Sequence, residues 1–303
     1  MAATALQPAG LTGRRPSYLR NPLVIALQRS VAQPMGLACL LIFSLLVLSA
    51  IAAPLITPYN PAVQTAGEEL VGPSWVHPFG TDELGRDLLS RTLYGIRISL
   101  IAGVPSVLVG AVIGTLAGLA AAYWLGPLDA VLMRIVDGLF AFPPILMGIA
   151  ILAALGPGLV NVTIVITVLQ IPMFARLARA AALQEKKADY VTAARALGAS
   201  SSRILFQHIL LNGFSPLMVQ AAAAMGFAVG IEASLSFLGL GINPPEPSLG
   251  AILMASQRQM RHALWYPVFP GMAITLLILS LNGIADAVNN AFARGYLFSR
   301  PKG

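Results

Sequence analysis

The chain has 303 residues, 57% of them hydrophobic and only 10% charged, with a mean hydropathy of +0.78. A soluble domain carries about one quarter charged residues, so this composition excludes a water-soluble globule and indicates a polytopic helical membrane protein. The 19 basic and 12 acidic residues leave a net charge of +7, an excess that in such a protein belongs to cytoplasmic loops rather than to nucleic-acid binding.

Residues 1–35 hold Arg14, Arg15, Arg20 and Arg29 and no acidic residue, and are read as a cytoplasmic N-terminal segment. The apolar run over 36–57 has about the 20 residues a membrane helix needs. A cleaved signal peptide competes with that reading, but the positive region is too long and the apolar core too extended. Cys39 lies in this run; as the single cysteine it forms no intramolecular disulfide and no zinc cluster. Residues 58–97 read as an extracytoplasmic loop. It carries Glu68, Glu69, Asp82, Glu83 and Asp87 against Arg86, Arg91 and Arg97. A calcium site is one reading of that acidic group, and a plain solvated loop the simpler one. Thr81, followed by Asp82 and Glu83, predicts a helix start, and Leu88, Leu89, Leu93 and Ile96 continue near helical spacing into a second span.

Residues 98–290 form the core. The second span, over 99–123, contains Gly110, Gly114 and Gly118, a tandem GxxxG that predicts close approach of another helix. The third, over 130–155, contains Pro143 and Pro144. Consecutive prolines break the backbone ladder, and a membrane tolerates the break only where neighbours or a wet cavity satisfy the freed carbonyls. The break either lines a translocation path or is a packing kink. A fourth span covers 160–178 and a fifth 214–235. Residues 251–262 suggest a short interfacial helix, with Trp265 and Tyr266 as boundary anchors. A sixth span covers 268–288, and 291–303 form a tail with Arg294, Arg300 and Lys302.

Six spans put both termini on one side. With a cytoplasmic N-terminus, the inner segments hold Arg14, Arg15, Arg20, Arg29, Arg134, Arg176, Arg179, Lys186, Lys187, Arg195, Arg203, Arg294, Arg300 and Lys302. The outer ones hold only Arg86, Arg91, Arg97, Arg258 and Arg261, which favours that orientation. Asp137, Glu232 and Asp286 fall near span ends. An ionisable residue there is a functional candidate by default, although reach to water or pairing with a neighbour explains each more simply. Pro143, Pro144 and Glu232 are the candidate pathway or kink residues. His77, His208 and His262 lie in different loops and are read as solvated. The chain has no G-x-x-x-x-G-K-[ST] and no G-x-S-x-G, so no catalytic residue, bound cofactor or metal is expected.

The longest polar interruption of the second half is 185–212, within a cytoplasmic loop over 181–212. Tyr190, Ala193, Ala194 and Leu197 share one helical face. Gly198 predicts a stop, one of Ser200 to Ser202 a new cap, and Ile204, Leu205, Ile209 and Leu210 the apolar side of a second short helix. Such a pair suits helix-in-groove docking, or alternatively lies in the headgroup region.

The spacing T-A-A-x-x-x-G at Thr192, Ala193, Ala194 and Gly198 resembles the EAA loop of ABC importer permeases. HPFGTDELGRDLLSRTLYGIRISL, LMRIVDGLFAFPP, LGPGLVN, DYVTAARALGASSSRILFQHIL and EASLSFLGLGINPPEPS run from His77 to Ser248. With the glycines of span two, they resemble the C-type subunit of the dipeptide/oligopeptide/nickel permease family. The resemblance implies an all-α membrane protein of six transmembrane helices, the MetI-like domain of a type I importer. It implies a homologous B-type permease, two cytoplasmic ABC ATPases that bind ATP and Mg, an extracytoplasmic solute-binding protein, and a bacterial inner membrane around them. It assigns ATPase coupling to Tyr190, Thr192, Ala193, Ala194, Leu197 and Gly198. Thr192 stands where the motif has glutamate and Leu211 where it has a terminal proline, which leaves the end of the second short helix open. Peptides are the expected cargo, with nickel chelates or glutathione behind. An ion-coupled carrier would instead show inverted repeats and midplane charges. A channel or scaffold subunit is the other alternative.

Overall fold

A computed structural model describes residues 33–57 and 59–297. Arg14, Arg15, Arg20, Arg29, Arg300 and Lys302 fall outside them. The described chain is helical, with one isolated bridge between Thr81 and Asp87. Its helices are α1 (Pro34–Ile56), α2 (Leu88–Trp124), α3 (Gly126–Phe140), α4 (Pro144–Leu155) and α5 (Leu159–Glu185). After these come α6 (Asp189–Ala196), α7 (residues 201–212), α8 (Phe214–Phe237), α9 (Leu249–Ser256) and α10 (Trp265–Leu297). Five of them, α1, α2, α5, α8 and α10, are long and apolar enough to cross a membrane.

The third expected span is two helices, α3 and α4, bent by 94° at residues 141–143. The physical reason is Pro143 and Pro144: Pro144 opens α4 with no N–H to give, so the α3 ladder stops. With 12 residues, α4 is about 18 Å long and cannot cross a bilayer alone. It packs Leu152 into a core shared with Val165, Ile166 and Phe174 of α5 and Ala228 and Leu235 of α8.

The expected helix start at Thr81 is corrected to Leu88, with Asp87 as the cap. Asp82 does not lead a helix because its carboxylate closes a turn, accepting from the backbone N–H of Leu84 (2.9 Å) and Arg86 (3.0 Å) and from Arg86 Nε (2.6 Å). The acidic loop is likewise not simply solvated: Asp82 and Asp87 are buried. Asp87 accepts from Ser90 N and Oγ and meets Nδ1 of His77 at 2.9 Å, so His77 is also buried rather than solvated. From Asp87 a continuous 37-residue α2, roughly 55 Å long, runs the length of the bundle.

The expected helix over 251–262 is α9 followed by a 3-10 turn at Gln257–Gln259, set inward rather than on an interface, with Leu249, Ile252 and Ser256 buried. Tyr266 is not a boundary anchor. It is 1% exposed, in a cluster with Leu88, Ile252 and Ala263.

Gly110, Gly114 and Gly118 bring α2 against α5. A Cβ on each would lie 3.1 Å from Thr167 O, 2.5 Å from Ile171 O and 2.2 Å from Ala175 O respectively. The partners also step by four residues, which fixes the register of this pair, the most extensive helix contact in the fold.

Candidate functional site: an exposed helical knob and a cavity at the broken helix

Beyond α5 the chain turns at Lys186 and Lys187 into the knob of α6 and α7. Gly198, at φ +79°, ends α6 in the left-handed region that favours glycine. Ser200 then caps α7 through Arg203 N. The middle of α7, Ile204–Ile209, is π-helical, and the chain continues past Asn212 and Gly213 straight into α8. Gly213 lets the junction lie against α5, since a Cβ there would be 3.3 Å from Ala181 Cβ. Leu211 is exposed.

The two sides of the knob differ sharply. Val191, Ile204, Leu205 and Ile209 are buried against Leu119, Ala122 and Ala182 of α2 and α5. Tyr190, Thr192, Ala193, Leu197 and Gly198 are exposed and Ala194 is half-buried, with Leu197 at 88%. Tyr190 donates a hydrogen bond to Glu185. Lys186 fastens the knob to α2. Its Nζ donates to the carbonyls of Ala122 (3.1 Å) and Tyr123 (2.8 Å), which close that helix and lack intrahelical partners. Tyr123 in turn donates to Ser201 Oγ at 2.8 Å. The outward side of α6 is thus a fixed surface of small side chains from which Leu197 protrudes.

A cavity of about 390 Å³ lies where α3 breaks from α4, walled also by α5 and α8. Phe140, Phe142, Met147, Met173 and Phe227 give it an apolar surface, and the amides of Gln170 and Gln220 are its polar groups. Gln170 Nε2 donates to Ala224 O at 3.0 Å, tying α5 to α8. Pro144 lines the cavity; Pro143 and Glu232 are not among its lining residues. At its edge, Arg176 bonds Asp137 (2.7 Å) and lies 4.0 Å from the centre of the Phe140 ring, holding α3 to α5. Asp286 is exposed. Glu232 is buried among three serines: Ser236 at helical i,i+4 spacing, and Ser99 and Ser248, which no local pattern connects to it.

A bundle of apolar helices, a broken helix beside a cavity and a rigid polar knob at one end together define the transmembrane subunit of a transporter. The chain belongs to the family described as binding-protein-dependent transport system inner membrane component, which matches residues 110–297, and is a permease of an ABC importer. Residues 21–73 match the N-terminal transmembrane domain of oligopeptide transport permease C. Among its relatives is the di/tripeptide transport system permease protein DppC of Pseudomonas aeruginosa, 40% identical over 84% of this chain and 86% of that protein. The glutathione transport system permease protein GsiD of Pectobacterium atrosepticum is 41% identical, and that of Escherichia coli 43%, each over 91% of this chain and 92% of the relative. The MetI-like fold is found in a solved structure of the MetNI methionine ABC transporter in inward-facing conformations. It matches with a TM-score of 0.55 and 20% identity, over 66% of this chain and 95% of that one.

Proposed function

We propose that this chain forms one half of the translocation path of an ATP-driven importer of di- or oligopeptides, and that the knob over 185–212 couples it to an ATPase. The observation that carries the reading is the knob itself: its apolar inner face is used by the fold, while the face bearing Ala193, Leu197 and Gly198 is left outward. The partners are a homologous B-type permease, two cytoplasmic ATPase subunits that bind ATP and Mg, and an extracytoplasmic solute-binding protein. The complex sits in the lipid of a bacterial inner membrane. The excess of basic residues at the knob end supports cytoplasmic N- and C-termini, with 58–87 outside. Relatives whose names specify di/tripeptide and glutathione transport support a short-peptide cargo.

The mechanism is alternating access. ATP favours the closed ATPase dimer, and that differential affinity shifts the permease through the docked knob, which continues directly into α5 and α8. The cavity beside the broken helix is this chain's share of the path. Its uncharged, Met- and Phe-rich wall adapts to varied side chains. Gly198→Pro removes the left-handed turn, and Ala194→Asp places a charge on the docking side. In vesicles both should hydrolyse ATP without matching uptake while inserting normally. Normal uptake by both variants would sink the docking role. Flux driven by a proton gradient with no ATPase present would favour a secondary carrier.

A further inference from the structure

Glu232 is 0% exposed, and serine hydroxyls occupy both of its carboxylate oxygens. Ser99 of α2 donates to Oε2 at 2.6 Å. Ser236, one turn further along α8, and Ser248, at the cap position of α9, donate to Oε1 at 2.9 Å and 3.0 Å. All three serines are buried, and among the described residues no basic side chain pairs with the carboxylate. Burying a carboxylate without a cation is costly, so close packing alone does not account for glutamate here. What it supplies is a single acceptor that three hydroxyls on three segments can reach.

The backbone closes tightly around this knot. A Cβ on Gly250 would lie 2.1 Å from Ala233 O, and one on Gly241 2.0 Å from Ser236 Oγ. Gly158 N donates to Gly241 O at 2.8 Å, so the turn between α4 and α5 joins the same assembly. Glu232 lies 18 residues along α8 from Phe214, about 27 Å from the knob at which that helix begins.

We propose that Glu232 is a positioning residue that fastens residues 238–256 and α2 to the far end of α8, so that movement entering α8 at the knob is delivered to the opposite face of the bundle. This rests on the coupling proposed above. The acceptor geometry matters rather than the charge. A glutamine keeps one oxygen acceptor, and its amide can donate to a serine hydroxyl, which accepts as well as donates. Aspartate falls one methylene short, and alanine leaves three buried hydroxyls without their acceptor.

The test uses the complete transporter in vesicles, with Glu232→Gln, Glu232→Asp, Glu232→Ala and Ser248→Ala. ATP hydrolysis and peptide uptake are measured together, and backbone hydrogen exchange over 238–256 is measured on the nucleotide-free complex. Glu232→Ala and Glu232→Asp should hydrolyse ATP within about threefold of the parent, transport at least about tenfold less per ATP, and exchange at least about tenfold faster over 238–256. Glu232→Gln should stay within about threefold on every measure, and Ser248→Ala should shift in the same direction as alanine by less. Unchanged exchange and uptake in Glu232→Ala overturn the proposal. So does a Glu232→Gln variant as impaired as alanine, which would point to charge. Should Glu232→Ala fail to assemble, unchanged exchange in Ser248→Ala overturns it. If knob docking fails instead, Ala194→Asp transports normally while Glu232→Ala still raises exchange, so the two failures are distinguishable.

Discussion

The carbonyl oxygen of Ala175 stands 2.2 Å from where a Cβ on Gly118 would be. No methyl fits there without moving α2 away from α5. Both neighbours are backbone, the other being Arg179 N at 2.9 Å, so no flexible side chain can yield. Gly118→Ala should destabilise the protein by about 1–3 kcal/mol. Gly110→Ala should cost less, because its nearest neighbour is the Cβ of Gln170 at 2.8 Å and the closest backbone atom is at 3.1 Å. Thermal unfolding in detergent ranks the two, and the reverse order would contradict the packing account.

Lys186 reaches from the knob to the end of α2, at Ala122 and Tyr123. Lys186→Met keeps most of the stem and removes the donors. The two carbonyls then lose a charge-assisted partner worth roughly 1.5–3 kcal/mol. Hydrogen exchange over 186–200 should rise, and co-purified ATPase should fall severalfold. Lys187→Met, at an exposed position, should change neither.

Asp82 holds two arginines in a nearly dry setting. Arg86 Nε is 2.6 Å and Arg91 Nε 3.3 Å from its Oδ2, and Arg91 also donates to Pro61 O at 3.0 Å. Removing the carboxylate strands the buried Arg91 and the largely covered Arg86, so Asp82→Ala should cost about 3–5 kcal/mol in thermal or denaturant unfolding. Glu69→Ala, on the exposed side of the same loop, should stay within about 0.5 kcal/mol.

The long apolar helices and the knob were legible because their signals are local. Gly198 and Ser200 act within one turn of their own positions, and the glycines of α2 announce a close partner by spacing alone. Pro143 and Pro144 marked the break but not its 94° angle, which depends on how α4 packs between α5 and α8. The rest depended on distance in the chain. Asp82 has the chemistry of a helix start, yet Arg86 and Arg91 compete for it and win. Ser99 is 133 residues from Glu232, and neither carries a pattern pointing to the other. Tyr266 looked like an interfacial aromatic because nothing nearby in sequence reveals that Leu88 and Ile252 enclose it.

The cavity offers the most direct check on the path. Met173 of α5 lines it together with Phe140, Phe142 and Phe227. A tryptophan at 173 would occupy part of the roughly 390 Å³ without touching the knob or its attachment to α2. Met173→Trp should therefore leave ATP hydrolysis close to the parent's and lower peptide uptake by at least about tenfold, the signature of a blocked route rather than a lost coupling. Met272→Trp, on α10 and also exposed, lies outside the lining and serves as the control for bulk alone. Uptake assays in vesicles with peptides of increasing side-chain size refine the point. If the cavity carries cargo, Met173→Trp discriminates against large residues first. Undiminished uptake for every peptide would place the route elsewhere in the complex.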